Sequence, residues 1–298
     1  MKFIKSFSDL SIPARESIFI DKGVFTGILF PMPEILLVND DGIFSPGLRA
    51  LAAKLCANFT CTIAAPSVQQ SWIGKASSYH KSIPCKEVTV DGYQGYSIDG
   101  TPSDCASAGI YHLCSSLPEL VVSGINAGAN VGDAYILSSG TVGGALEGAL
   151  AGIPSMAVGV EFPPEITKKI EFDPGEDDIR FFQFAAELTC RACKVLFSLP
   201  DLPAGKIINI NMDNSCTEKS RIISAMPERY NYGSFLRRDG DHFYHQGSPK
   251  DWSRTSRGSD MSVLKEGNIA VSLISLPGAG PAPQTWLNQF IEILSDGN

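Results

Sequence analysis

No apolar run in this chain approaches the roughly 18 residues that a membrane-spanning helix requires. The first residues also lack the uninterrupted apolar segment and small-residue cleavage site of a secretory leader. Basic charge is short as well, with 24 Lys and Arg against 32 Asp and Glu, a formal net charge of −8. Without a broad basic surface to displace counterions, a nucleic-acid polymer is excluded as partner, and a small anion would need local help from a cation or a helix start. Histidine is scarce. His242 and His245 have metal-like spacing but no third ligand, so they read as surface residues. The eight cysteines are not spaced as a disulfide framework, and Cys190-Arg191-Ala192-Cys193 has no second pair to complete a tetrahedral site. Core packing and a reducing, cytoplasmic setting are the expectation. No G-x-G-x-x-G follows the first strand, which removes a dinucleotide oxidoreductase.

What the chain does contain is a short apolar stretch that stops abruptly on polar groups, Glu34-Ile35-Leu36-Leu37-Val38-Asn39-Asp40-Asp41-Gly42. Four apolar, mostly branched residues predict a strand buried on both faces of a parallel sheet. Asn39, Asp40 and Asp41 resist continuation of that strand, and Gly42 permits the turn, which places two carboxylates at the strand's carboxyl end. In open α/β sheets that end is where ligands bind. Adjacent carboxylates repel unless a cation neutralises them, and hard oxygen ligands suit Mg²⁺ or Mn²⁺.

The same grammar repeats along the chain. Apolar spacing predicts a helix from Leu48 to Cys56 after Ser45-Pro46-Gly47, then a strand from Thr60 to Ala65, closing a βαβ unit. The loop after it, Gln69 to Lys75, brings together a hydroxyl, an indole and an ammonium. Asp91-Gly92 predicts a hairpin, and the chain then turns through residues 99–104 into a helix near Cys105. Leu120 to Val122 is a third buried strand, ending in Ser123-Gly124-Ile125-Asn126-Ala127-Gly128. Ser139-Gly140-Thr141 opens a helix of small residues and offers either plain N-capping or hydroxyls and free N–H groups for an anion. Strands are expected at 155–160, 207–211 and 269–276, with helices at 179–199 and 285–294. Residues 1 to 33 show no sustained period and read as an arm outside a single core domain spanning 34–298. Residues 229–257, rich in Tyr, Phe, Trp and Arg, read as a protruding hairpin that reaches a second subunit.

In their order along the chain these motifs resemble the SurE-type 5′-nucleotidases. The resemblance is carried by residues 35–42, Ala65-Pro66 with Gln70-Ser71, residues 100–105 and 123–128, Ser139-Gly140-Thr141, Glu147-Gly148 and Ser259-Asp260. It implies a Rossmann-like, mostly parallel sheet with helices on both faces, and a phosphomonoesterase acting on nucleoside monophosphates through a metal-activated water. It further implies one divalent ion per subunit, Mg²⁺ or Mn²⁺, held by Asp40, Asp41, Ser71 and Asn126, with Asp40 and Asp41 catalytic. Ser139, Gly140, Thr141 and Asn39 would then meet the phosphate or substrate, in a homodimer or homotetramer. The chain departs from the family pattern at Trp72-Ile73-Gly74-Lys75, where bulk and charge would line the mouth of the site. A dehalogenase-like phosphatase is disfavoured because its second Asp lies two positions on, not adjacent. Broader phosphatase activity toward 3′-nucleotides or polyphosphate, and a non-catalytic nucleotide-binding regulator, remain as alternatives.

Overall fold

Every position of the first strand, β1 (Glu34–Val38), is buried in the computed structural model, which describes residues 32–199, 204–245, 251–253, 255–276 and 284–296. The proposed N-terminal arm falls almost wholly on 1–31, outside the described residues.

The chain continues through α1 (Pro46–Leu55), β2 (Thr60–Pro66), β3 (Cys85–Val90), β4 (Tyr93–Ile98) and α2 (Pro102–Ala108), whose last turn widens into a π segment, Gly109–Leu113. Then come β5 (Leu120–Asn126), α3 (Asp133–Ser138), α4 (Gly140–Leu150), β6 (Ser155–Glu161), α5 (Pro164–Phe172) and a 3₁₀ segment, Glu176–Phe182. The remainder is α6 (Gln183–Ser198), β7 (Lys206–Asp213), β8 (Ile222–Ser224), β9 (Leu236–Asp239), β10 (His242–His245), α7 (Asp260–Lys265), β11 (Ile269–Ser275) and α8 (Gln284–Asp296).

Nine strands form one sheet in the order β3-β4-β2-β1-β5-β6-β7-β11-β8. All neighbours are parallel except β3/β4 and β7/β11. Side chains alternate across β1. Ile35 and Leu37 join the large core that includes residues of α1, α6 and α8, while Leu36 and Val38 join a second core with Cys105 and Ala106 of α2. Helices therefore cover both faces, which is why β1 carries no polar alternation. Cys190 and Cys193 are buried free thiols in the larger core, as expected from packing.

Sheet order also fixes where a ligand crevice opens. From β1 the chain winds outward to β2 and β4, then returns to place β5 on the other side of β1. Connections leaving β1 and β5 diverge there, the switch point at which α/β sheets bind ligands. The polar ends of those two strands are Asn39-Asp40-Asp41 and Asn126.

Several elements differ from the sequence expectation. The helix expected at 179–199 starts as the 3₁₀ segment and becomes α-helical only at Gln183. The helix expected near 105 starts at Pro102, because Thr101 and Asp104 form a capping box. α5 and β8 have no counterpart in the expectation. The hairpin expected within 229–257 is present as β9 and β10, paired Arg238 to Phe243 and exposed at all eight positions.

Candidate active site

The turn after β1 is closed by Asn39, whose amide nitrogen donates to the Gly42 carbonyl at 2.9 Å and to Ser45 Oγ at 2.7 Å. Gly42 holds φ +102°, a region that glycine enters without a Cβ penalty. Asn39 is fully buried, so its amide shapes the loop from beneath. Asp40 sits above it, only 3% exposed. Its backbone carbonyl accepts from Gln70 N–H at 2.7 Å, tying the β1 loop to the β2 loop that carries Ser71.

The carboxylate of Asp40 lies at the N-terminus of α4. Thr141 Oγ1 donates a short hydrogen bond to Asp40 Oδ1, and the backbone of Gly140 and Thr141 bonds the same carboxylate. Close approach depends on glycine: a Cβ at Gly140 would stand 2.7 Å from Asp40 Cβ. Ser139 is the N-cap of α4, accepting from Val142 N–H at 3.0 Å and donating to Asn130 Oδ1 at 2.7 Å. Thus the helix start engages an anion, but that anion is Asp40 itself, and Ser139 also caps. Asp41 reaches the β5 side, where Oδ2 accepts from Ala127 N–H at 3.1 Å.

These carboxyls are energetically uncomfortable. Burial raises the Asp40 pKa, the bonds from Thr141 and Gly140 offsetting only part of it. Burial and then the Asp40 charge push Asp41 well above the usual carboxylate range. Glu171 on α5 is raised by burial and then by Asp40.

A cleft of about 190 Å³ opens beside this cluster, lined among others by Asp40, Ser71, Asn126, Ser139, Glu161 and Glu171. Asn126 spends its amide nitrogen on the Gly128 carbonyl at 2.8 Å, leaving Oδ1 without a hydrogen bond among the described residues. Ser71 Oγ accepts from Gln69 Nε2 at 2.9 Å. Asp41 lines an adjoining cavity instead, with Glu171 shared between the two. Asn39, Gly140 and Thr141 lie behind the cleft wall, and Thr141 is fully buried.

The sequence reading missed Glu161, Thr167 and Glu171 of the cleft lining. Glu161, whose Oε2 accepts from Ala129 N–H at 2.9 Å, ends a buried strand as Asp40 does, and that signal could have found it. Pro164 at the first position of α5 with Glu165 in its first turn is a helix-start signal that would have exposed Thr167 and Glu171. Lys75 differs from the expectation that its charge lines the mouth: it is not part of the described cleft lining and pairs with Glu147 of α4 at 2.6 Å.

Among the described residues the cleft lining holds three carboxylates and no Lys, Arg or His. An anionic ligand cannot enter such a place without a cation. The donor set implied by the sequence suits a hard one: Asp40 of the cleft lining and Asp41 of the adjoining cavity, beside the neutral Ser71 and Asn126 oxygens. Among the described residues no three His, Cys, Asp or Glu side chains are grouped to hold a metal, so any site here depends on those neutral oxygens.

The family model described as Survival protein SurE matches residues 35–231, the span holding every residue of this cleft. The chain belongs to the SurE family. A relative in Methanococcoides burtonii named 5′-nucleotidase SurE is 32% identical over 83% of this chain and 95% of its own length. One of the same name in Moorella thermoacetica is 32% identical over 88% of this chain and 98% of its own length. The crystal structure of the SurE protein from Aquifex aeolicus superposes with a TM-score of 0.64 at 28% identity, covering 82% of this chain and 93% of that one. Its SurE relationship and its sheet place the chain among Rossmann-like α/β folds.

Proposed function

We propose that this cleft hydrolyses the phosphomonoester bond of nucleoside 5′-monophosphates. SurE membership, with relatives named 5′-nucleotidase, supports a phosphatase of that class. One observation carries the site assignment: buried, mutually destabilised carboxylates at a sheet switch point, beside a lining with no cationic side chain among the described residues.

Asp40, Asp41, Ser71 and Asn126 would hold one divalent ion, Mg²⁺ or Mn²⁺. Bound there, the ion supplies positive charge for phosphate oxygens and lowers the pKa of a water. The chain's own residues do the rest. Thr141 orients Asp40 through its hydroxyl, so that the carboxylate is held where it can take the attacking water's proton. The start of α4 lends its dipole to the side where phosphate charge develops, while its Gly140 and Thr141 amides hold Asp40. Glu161 and Glu171 of the same lining disfavour a second anion there.

A core domain spanning 34–298 and a homodimer or homotetramer, with the 229–257 segment as its contact, complete this reading. Eight free cysteines suit a cytoplasmic setting.

The test is release of inorganic phosphate from a panel of 5′- and 3′-nucleoside monophosphates and polyphosphate, with Mn²⁺, Mg²⁺ or chelator. Release from 5′-nucleotides that stops with chelator is expected. Nucleotide binding without phosphate release would identify a non-catalytic regulator, and full activity in chelator would move the chemistry elsewhere.

A further inference from the structure

Trp72 follows Ser71 directly and holds φ +63°, a left-handed conformation that bulky residues rarely adopt unless their surroundings impose it. Its indole is 44% exposed, yet four rings surround it. Centroid distances are 4.8 Å to His245, 5.0 Å to Tyr232, 5.8 Å to Tyr135 and 6.5 Å to Phe235. Tyr232, Phe235 and His245 come from the hairpin segment, whereas Tyr135 belongs to α3. Tyr135 in turn stacks on Tyr230 at 5.7 Å, and the Tyr232 hydroxyl donates to the Ala134 carbonyl and Ser138 Oγ. These contacts hold Trp72 in place without covering it. Trp72 and Tyr135 line the same cleft as Asp40, Ser71 and Ser139.

Resting on the phosphatase reading above, we propose that Trp72 and Tyr135 form a stacking wall for the nucleobase of the substrate. Trp72 thereby becomes the residue that separates nucleotides from other phosphate monoesters. A 5′-nucleotide has its anionic end and its π face at opposite ends of one ribose. The cleft offers both kinds of partner in one lining: the oxygen donors Asp40, Ser71 and Asn126, and the rings of Trp72, 44% exposed, and of Tyr135, half-buried. Lys75, three residues after Trp72, is committed to Glu147, and the described cleft lining holds rings rather than cations. Every base offers a π face, so such a wall selects for the presence of a base more than for its identity.

The experiment compares kcat/KM for AMP and for ribose 5-phosphate in the full chain with Mn²⁺, in wild type, Trp72→Ala and Trp72→Phe. The AMP to ribose 5-phosphate ratio should fall roughly tenfold to a hundredfold in Trp72→Ala, mostly through KM for AMP, and less in Trp72→Phe. Melting temperature checks that both variants fold. An unchanged ratio, with both substrates losing equally, would make Trp72 only an anchor for the Ser71 loop and overturn the proposal. If wild type cleaves neither ester, the phosphatase reading fails and calorimetric binding of adenosine decides the wall by itself. Adenosine affinity that drops at least tenfold in Trp72→Ala and less in Trp72→Phe sustains it, and equal affinity in all three ends it.

Discussion

Asp40 is where three parts of the chain meet: the turn after its own strand, the Gln70 amide of the β2 loop, and the start of α4 with its Thr141 hydroxyl. Changing it tests two roles together. Asp41→Asn keeps the size but removes a negative donor, so the concentration of Mn²⁺ needed for half-maximal activity should rise, and calorimetry should read the weaker binding directly. Asp40→Asn should do the same and also lower kcat at saturating metal by roughly two orders of magnitude or more. Near-normal rates in both variants would remove this pair from the chemistry. Thr141→Val leaves a buried carboxylate without its hydroxyl donor, and loss of such an outer partner typically costs about 10- to 100-fold in metal affinity or activity. A rate and a Mn²⁺ affinity both within twofold of wild type would mean that Thr141 orients nothing. At this scale much of the site was legible, because Asp40, Ser71 and Asn126 each follow a short apolar strand and Ser139 opens a helix. Glu171 was not, since the helix that carries it has mostly exposed faces and only one fully buried residue, Ile170.

Among the elements, α5 supplies Thr167 and Glu171 to the cleft lining and is held by an ion pair to the 3₁₀ segment that follows it. Lys169 Nζ donates a short hydrogen bond to the buried Asp178, which also accepts from Gly175 N–H at 2.8 Å. Lys169, then the Gly175 amide, hold the Asp178 pKa below its ordinary value against the opposing effect of burial. A carboxyl with a lowered folded pKa adds stability above its unfolded pKa and loses it as pH falls through the folded value. Asp178→Asn should therefore cost about 1 kcal/mol at neutral pH, a modest figure because Lys169 is half exposed. Urea titrations should show the gap to wild type closing as pH drops below the normal carboxylate range. A pH-independent gap would assign the effect to packing. Helix α4 shows the opposite kind of dependence, on size rather than charge: Gly140→Ala should displace Asp40 and lower kcat while leaving the melting temperature less affected.

For the whole molecule, the hairpin segment gives the sharpest oligomer test. Deleting residues 231–253 should reduce the mass seen by light scattering to that of a monomer, and an unchanged oligomer would take the segment out of the interface. A chain beginning at Met32 should fold and keep its activity, because the site and its supporting strands lie beyond that point. Insolubility of the shortened chain would make the N-terminal residues part of the structure. The sequence by itself determined the central buried strands, their polar stops and the starts of α1 and α4, since each is written in a few neighbouring residues. It also placed the chain in its family through motifs in register. Only the tertiary structure decided that β5 returns beside β1, that Thr141 meets Asp40 across 101 positions, and that Lys75 turns to Glu147. Those outcomes depend on strand order and helix packing, which no local pattern of residue types encodes. The ring wall at the cleft mouth has the same origin, joining a strained loop residue to a helix and a hairpin far along the chain.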